Sequence, residues 1–103
     1  MAVIKVTQDN FNEEVLNSER TVLVDFNAGW CGPCKLLGPI VEELSEERKD
    51  VKFVSIDIDE EDILAEDNDV TSIPCLVVFR NGKEVARSVG FKPKDAVAEL
   101  IGG

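Results

Sequence analysis

Residues 21–26, TVLVDF, constrain the fold more than any other stretch. The run is almost continuously apolar or β-branched, without polar alternation, as expected of a strand covered on both faces. A helical period follows closely. Leu37, Ile40, Val41 and Leu44 fall at i, i+3, i+4 and i+7 and give one apolar stripe on a helix from Cys31 to about Arg48. Pro39 lies inside that helix and is expected to kink it, because its ring crowds the carbonyl of Lys35 and it donates no hydrogen bond.

The flanking stretches extend the alternation of strand and helix. Residues 2–6 read as a short strand. Thr7 is placed to cap a helix running to about Asn17, with Phe11, Val15 and Leu16 on its apolar side. Residues 51–59 form a strand with Val54, Ile56 and Ile58 on one face, and residues 61–68 a short helix holding Ile63 and Leu64. CLVVFR (75–80), Asn81-Gly82 and KEVARSV (83–89) read as a hairpin, since Asn-Gly is the strongest short hairpin signal. Residues 93–101 close the chain as a helix with Pro93 near its first turn and Ala96, Val97, Leu100 and Ile101 inward. The order β-α-β-α-β-α-β-β-α implies an α/β fold, a mixed sheet with helices on both faces. With no repeat or linker, residues 1–103 read as a single domain. In such sheets ligands meet the carboxyl ends of the strands.

Charge narrows the partners. The net charge is −10, and residues 42–69 account for all of it, with 13 acids against Arg48, Lys49 and Lys52. A polyanionic partner, whether nucleic acid or anionic membrane, is disfavoured. No apolar run approaches the roughly 20 residues that span a bilayer. No basic segment leads into a long apolar stretch at the N-terminus, so the expected location is cytoplasmic, where thiols stay reduced.

Cys31 and Cys34 stand as C-x-x-C in NAGWCGPCK, Cys75 stands alone, and the chain has no histidine. A structural zinc site needs four ligands, usually two such pairs, so no metal is expected. A stabilising disulfide closing so short a loop gains little chain entropy. A reactive dithiol remains. Cys31 falls at a helix N-terminus, where unpaired N–H groups and the helix dipole favour the thiolate. Cys34, one turn along on the same face, can resolve a mixed disulfide formed at Cys31. Gly32 allows a tight backbone, and Pro33 suits the first turn. Asp25 interrupts the apolar run. It reads either as a buried carboxyl that exchanges a proton with Cys34 or as a strand-end residue facing solvent. Trp30 reads as core, or as a flat plate beside the nucleophile on which a partner packs. In TSIPCL (71–76), Pro74 either ends a loop as a trans residue or follows a cis bond after Ile73, presenting backbone to an extended substrate.

These residues together resemble the thioredoxin family. VDF, WCGPCK, Pro39, SIP before a strand, FRNGKEV and the VG of 89–90 occur in that family's order over essentially the whole chain. The resemblance implies a thioredoxin fold and a protein-disulfide reductase that acts as a monomer. It would hold no cofactor beyond its own Cys31–Cys34 disulfide. It would reduce client proteins and be re-reduced by a thioredoxin reductase, drawing on NADPH only through that partner. By position, Cys31 would be the nucleophile, Cys34 the resolving thiol and Asp25 the buried acid/base. Trp30, Gly32 and Pro33 would shape the site. Ile73, a cis Pro74 and the backbone near Gly90 would line the substrate groove.

Four positions depart from the family pattern: Asn27, Ser55 where a lysine is common, Phe91, and Cys75 where threonine is usual. Without the lysine, Asp25 is expected to titrate higher. Cys75, directly after Pro74, is expected close to Cys31, either as a small buried stand-in for threonine or as an accessible accessory thiol. Two alternative functions remain on the sequence: a disulfide oxidase or isomerase, and a carrier dedicated to one partner that docks on its acidic face.

Overall fold

The computed structural model describes residues 2–102. Five strands form one sheet in the order β1-β3-β2-β4-β5, where β1 is Val3–Lys5, β2 Thr21–Asn27, β3 Val51–Asp57, β4 Cys75–Arg80 and β5 Lys83–Val89. The first three strands run parallel to one another, and β4 and β5 join antiparallel. The helices are α1, Gly32–Glu47, α2, Asp62–Asp67, and α3, Lys94–Leu100. The α/β class and the strand order along the chain match the sequence reading.

The pleat sorts the core into two layers. Val22, Val24 and Phe26 of β2 join Val54, Ile56, Val77 and Phe79 on one face, beneath Phe11, Val15 and Leu64. Leu23 joins Phe53, Leu76 and Val78 on the other, against Leu37, Val41 and Leu44 of α1, Val97 of α3 and Ile101 just after it. This is why β2 shows no polar alternation: successive side chains enter different cores. Each such side chain contributes roughly 1.5–3 kcal/mol through burial.

Three local expectations are corrected. Residues 12–16 form a single π-helical turn and not an α-helix from Thr7 to Asn17, and the Asn17 N–H donates to the Asn12 carbonyl at 2.9 Å. The wider i→i+5 turn brings Phe11 and Leu16 to the same side as Val15, so packing overrides the α-helical period. Thr7 does not cap it. Asn10 Oδ1 instead accepts the Thr7 N–H at 2.7 Å. In α3, Ala98 and not Ala96 packs on the core beside Leu100.

The helix α1 continues through Pro39. At the hairpin, Asn81 (φ +53°) and Gly82 (φ +78°) both take positive φ, the combination that matches strand twist. A Cβ on Gly82 would lie 2.8 Å from the Leu16 carbonyl oxygen. Gly82→Ala is therefore expected to lower stability by about 1–3 kcal/mol, the cost of forcing a side chain into this conformation plus the shift of Leu16. Asn81→Gly should change it little. Urea unfolding midpoints of the two variants check this, and equal midpoints would refute it.

Candidate active site

The site lies where β2 ends and α1 begins. Cys31 is the N-cap of α1, in extended conformation, and its Sγ accepts the Cys34 N–H at 3.2 Å. An N-cap side chain can accept from the second or third helical amide. Pro33 occupies the second position without an N–H, so the amide of Cys34 is the donor left. The two cysteines are joined as a disulfide with Cα atoms 5.2 Å apart.

Both cysteines are nearly buried, at 5% and 6% exposure, and pack with Ala28, Ile58 and Ile73. Burial does not distinguish them; the cavities on either side do. Cys31 lines a groove of about 450 Å³ with Trp30, Gly32, Pro33, Ile58, Val70 and Ile73. Cys34 lines a separate cleft of about 640 Å³ with Asp25, Asn27, Ser55 and Asp57.

Asp25 reaches that cleft because of strand parity. It shares a face with Leu23, beneath α1, and lies directly opposite Ser55 of β3. It is 5% exposed, and its Oδ1 has no hydrogen-bond partner. Burial pushes its carboxyl up to about 6, with the Asn27 amide pulling the other way. The same amide donates to Ser55 Oγ and to the Asp25 carbonyl, both at 2.9 Å. The departures at positions 27 and 55 thus bond to each other beside Asp25.

Trp30 stands 69% exposed, held by its Nε1–H donating to Asp59 Oδ2 at 2.8 Å. The sequence reading missed Asp59. It follows β3 at the sheet's carboxyl end, as Trp30 follows neighbouring β2, and that adjacency was the available signal. The Ile73–Pro74 bond is cis, Pro74 is buried, and its carbonyl accepts the Gly90 N–H at 2.8 Å. Gly90 has φ +93°.

Cys75 packs in a different cluster from Cys31. The pleat turns it to the opposite face from α1, into the cluster of Val77 and Phe79 at 1% exposure, and burial pushes its thiol up. The expectation of an accessible third thiol followed nearness in sequence to Pro74 and ignored the alternation of side chains. Among the described residues, no three His, Cys, Asp or Glu side chains converge to hold a metal ion, and no helix is long and apolar enough to cross a membrane.

Comparison with known proteins agrees with this geometry. The family model described as Thioredoxin matches residues 2–102. The chain is 49% identical over 102 residues to a protein named Thioredoxin from Bacillus subtilis, covering 98% of this chain and 96% of that one. It is 49% identical over 96 residues to a Thioredoxin of Chlamydia muridarum, covering 93% and 92%. With Mycoplasmoides gallisepticum Thioredoxin the identity is 40% over 89 residues, covering 86% and 89%. A C-x-x-C disulfide at the start of α1, on this sheet and with these relatives, makes the chain a member of the thioredoxin family, a thiol–disulfide oxidoreductase.

Proposed function

We propose that the chain works as one domain in the cytoplasm, taking electrons from a thioredoxin reductase and passing them to disulfides of client proteins, with Cys31 as nucleophile and Cys34 as resolving thiol. The observation that carries the assignment is the division of the two cysteines between cavities: Cys31 faces the groove of Trp30 and Ile73, and Cys34 faces the cleft of Asp25. In the reduced protein the Cys31 thiolate attacks one sulfur of a client disulfide. That bond breaks, a mixed disulfide forms, and the other client sulfur leaves as a thiolate and takes a proton. Cys34 then attacks Cys31 Sγ. The second client sulfur departs, and the Cys31–Cys34 disulfide forms. The client is reduced by two electrons and the pair is oxidised by two.

The Cys34 N–H aimed at Cys31 Sγ favours the first step, because a hydrogen bond to a charged acceptor is stronger than one to a neutral atom. Asp25 supports the second. A carboxyl titrating near neutrality can accept the Cys34 proton across the shared cleft as the thiol turns nucleophilic. Trp30, Gly32, Pro33 and Ile73 shape the groove. Pro74 and Gly90 fix its backbone.

An NADPH-coupled insulin-reduction assay with thioredoxin reductase tests the reading. Cys31→Ser is expected to lose at least about 100-fold in rate, as for any covalent nucleophile removed. Cys34→Ser should accumulate mixed disulfides with clients. Many trapped clients mark a general reductase and a single dominant adduct a dedicated carrier. Normal turnover by Cys31→Ser would end the proposal.

Asp25 gives a pH signature. Its carboxyl titrates at about 6 in the folded protein, against 3.8 for an unperturbed aspartate, so between these values the native protein holds a proton that the unfolded chain has lost. Stability therefore falls as pH rises through that window, and the loss, on the order of 3 kcal/mol, is complete above it. Asp25→Asn should abolish this slope, leave the oxidised protein more stable at pH 7 by a similar order, and slow insulin reduction at least about tenfold. Denaturant unfolding of wild type and variant across pH 4–8 measures it. Parallel curves would contradict the burial of the charge.

A further inference from the structure

We propose that Arg87 is a positioning residue of the client groove, fastening the loop between α2 and β4 to strand β5. The inference rests on the reductase reading above and adds to it what holds the groove wall in place.

Glu84 and Arg87 lie three apart on β5, and in a regular strand they would face opposite sides of the sheet. They do not, because the ladder slips: Val78 pairs with Ala86, whereas Phe79 pairs with Glu84, leaving Val85 without a partner. This bulge resets the alternation. Arg87 then sits opposite Val77 and Glu84 opposite Phe79, on the face that also carries Cys75.

Once there, the guanidinium uses all five of its N–H groups. Nε and Nη2 grip the two Glu84 oxygens, each at 2.8 Å. Nη2 also donates to the Asn68 carbonyl at 2.7 Å, and Nη1 to the Asp69 carbonyl at 3.3 Å and toward Cys75 Sγ at 3.8 Å. The Arg87–Glu84 pair alone would be an ordinary surface ion pair of small consequence. The two carbonyls belong to another element, and they terminate α2 where Asp69 takes φ +56°. Directly after them come Val70, Thr71, Ser72 and Ile73, which line the groove beside Cys31.

The far end of the same loop is held from the same strand, since the Gly90 N–H just past β5 donates to the Pro74 carbonyl at 2.8 Å. The edge strand thus ties both ends of the groove wall, through Arg87 at the α2 end and through the Gly90 amide at the Pro74 end. Among the described residues, the Thr71, Ser72 and Ile73 amides donate to no other backbone carbonyl. Without Arg87 the α2 end of the wall loses its tie to β5, leaving the Val70 N–H on the Ala65 carbonyl and the Gly90 N–H on the Pro74 carbonyl to hold it, and a client loses a preformed surface. The chemistry at Cys31 keeps its own contacts.

The test separates positioning from plain stability. Arg87→Met keeps the stem and removes the donors. It is expected to raise KM for insulin about fivefold or more while kcat stays within about twofold, the pattern of lost binding. A small disulfide, 5,5′-dithiobis(2-nitrobenzoic acid), which needs no groove, should react with the reduced variant within about twofold of wild type. Arg87→Lys should recover less than half of the KM effect, because a single ammonium cannot span Glu84 and both carbonyls. Independently of any redox activity, amide exchange at Val70, bonded to the Ala65 carbonyl at 2.9 Å, should quicken in Arg87→Met relative to amides of β2. Unchanged Val70 exchange would overturn the positioning role, as would equal losses with insulin and the small disulfide. A wild-type protein unable to reduce insulin would overturn the reductase reading instead, leaving the exchange result to judge Arg87.

Discussion

The site depends on one backbone amide, that of Cys34, donated to Cys31 Sγ in the first turn of α1. It is the donor left for the cap because Pro33 has none, and it fixes the geometry of both cysteines at once. The sulfur that caps the helix is the one exposed to its unpaired amides and dipole. The residue whose amide caps it carries the second sulfur, one turn along. Exchange chemistry needs a stabilised thiolate and a partner within bonding reach. A single hydrogen bond in a four-residue segment supplies both, provided that the helix start is rigid. Rigidity comes from β2, whose side chains are buried in two cores and whose last residues deliver the chain to Trp30 and Cys31.

That scaffold carries an internal cost. Asp25 lies on the α1 face of the most buried strand, with one carboxylate oxygen unpartnered. The ionised form is destabilised there by desolvation. The same desolvation holds the proton near neutral pH, where a carboxyl exchanges it usefully with a thiol. Neither Ser55, directly opposite, nor Asn27, which binds Ser55 and the Asp25 main chain, brings a positive charge to offset that cost. In the role proposed for Asp25, function and instability therefore share one physical cause.

Much of this was legible in the sequence where local pattern and tertiary need coincide. The unbroken apolar run of β2, the stripe on α1, Asn81-Gly82 and the C-x-x-C at a helix start each point one way. The place of Asp25 within that run left it either buried or facing solvent, and the structure takes the buried alternative. The failures arose where spatial neighbours decide. The π turn at residues 12–16 answers to the packing of Phe11 and Leu16, which an α-helical period does not encode. Cys75 follows the side-chain alternation of β4 and not its adjacency to Pro74. The hydrogen bond from Trp30 to Asp59 joins residues 29 positions apart, and no local rule links them.

The bulge at Val85 shows what a sequence of regular-looking strand residues can conceal. KEVARSV carries no glycine or proline to announce an irregularity, and a strict period-2 reading would put Glu84 and Arg87 on opposite faces. The slipped register instead gives the guanidinium its carboxylate and turns both toward the end of α2. Edge strands tolerate such slips because only one side must keep its ladder. Here β4, the inner neighbour, keeps its pairing with β2 intact through Phe79. The site is thus held from two sides by different means. The central strand fixes the cysteines through burial, and the irregular edge strand holds the loop against them through polar bonds. Burial resists local opening more strongly than a few partly exposed hydrogen bonds do. The groove wall is accordingly the more compliant part, and the dithiol the more rigid.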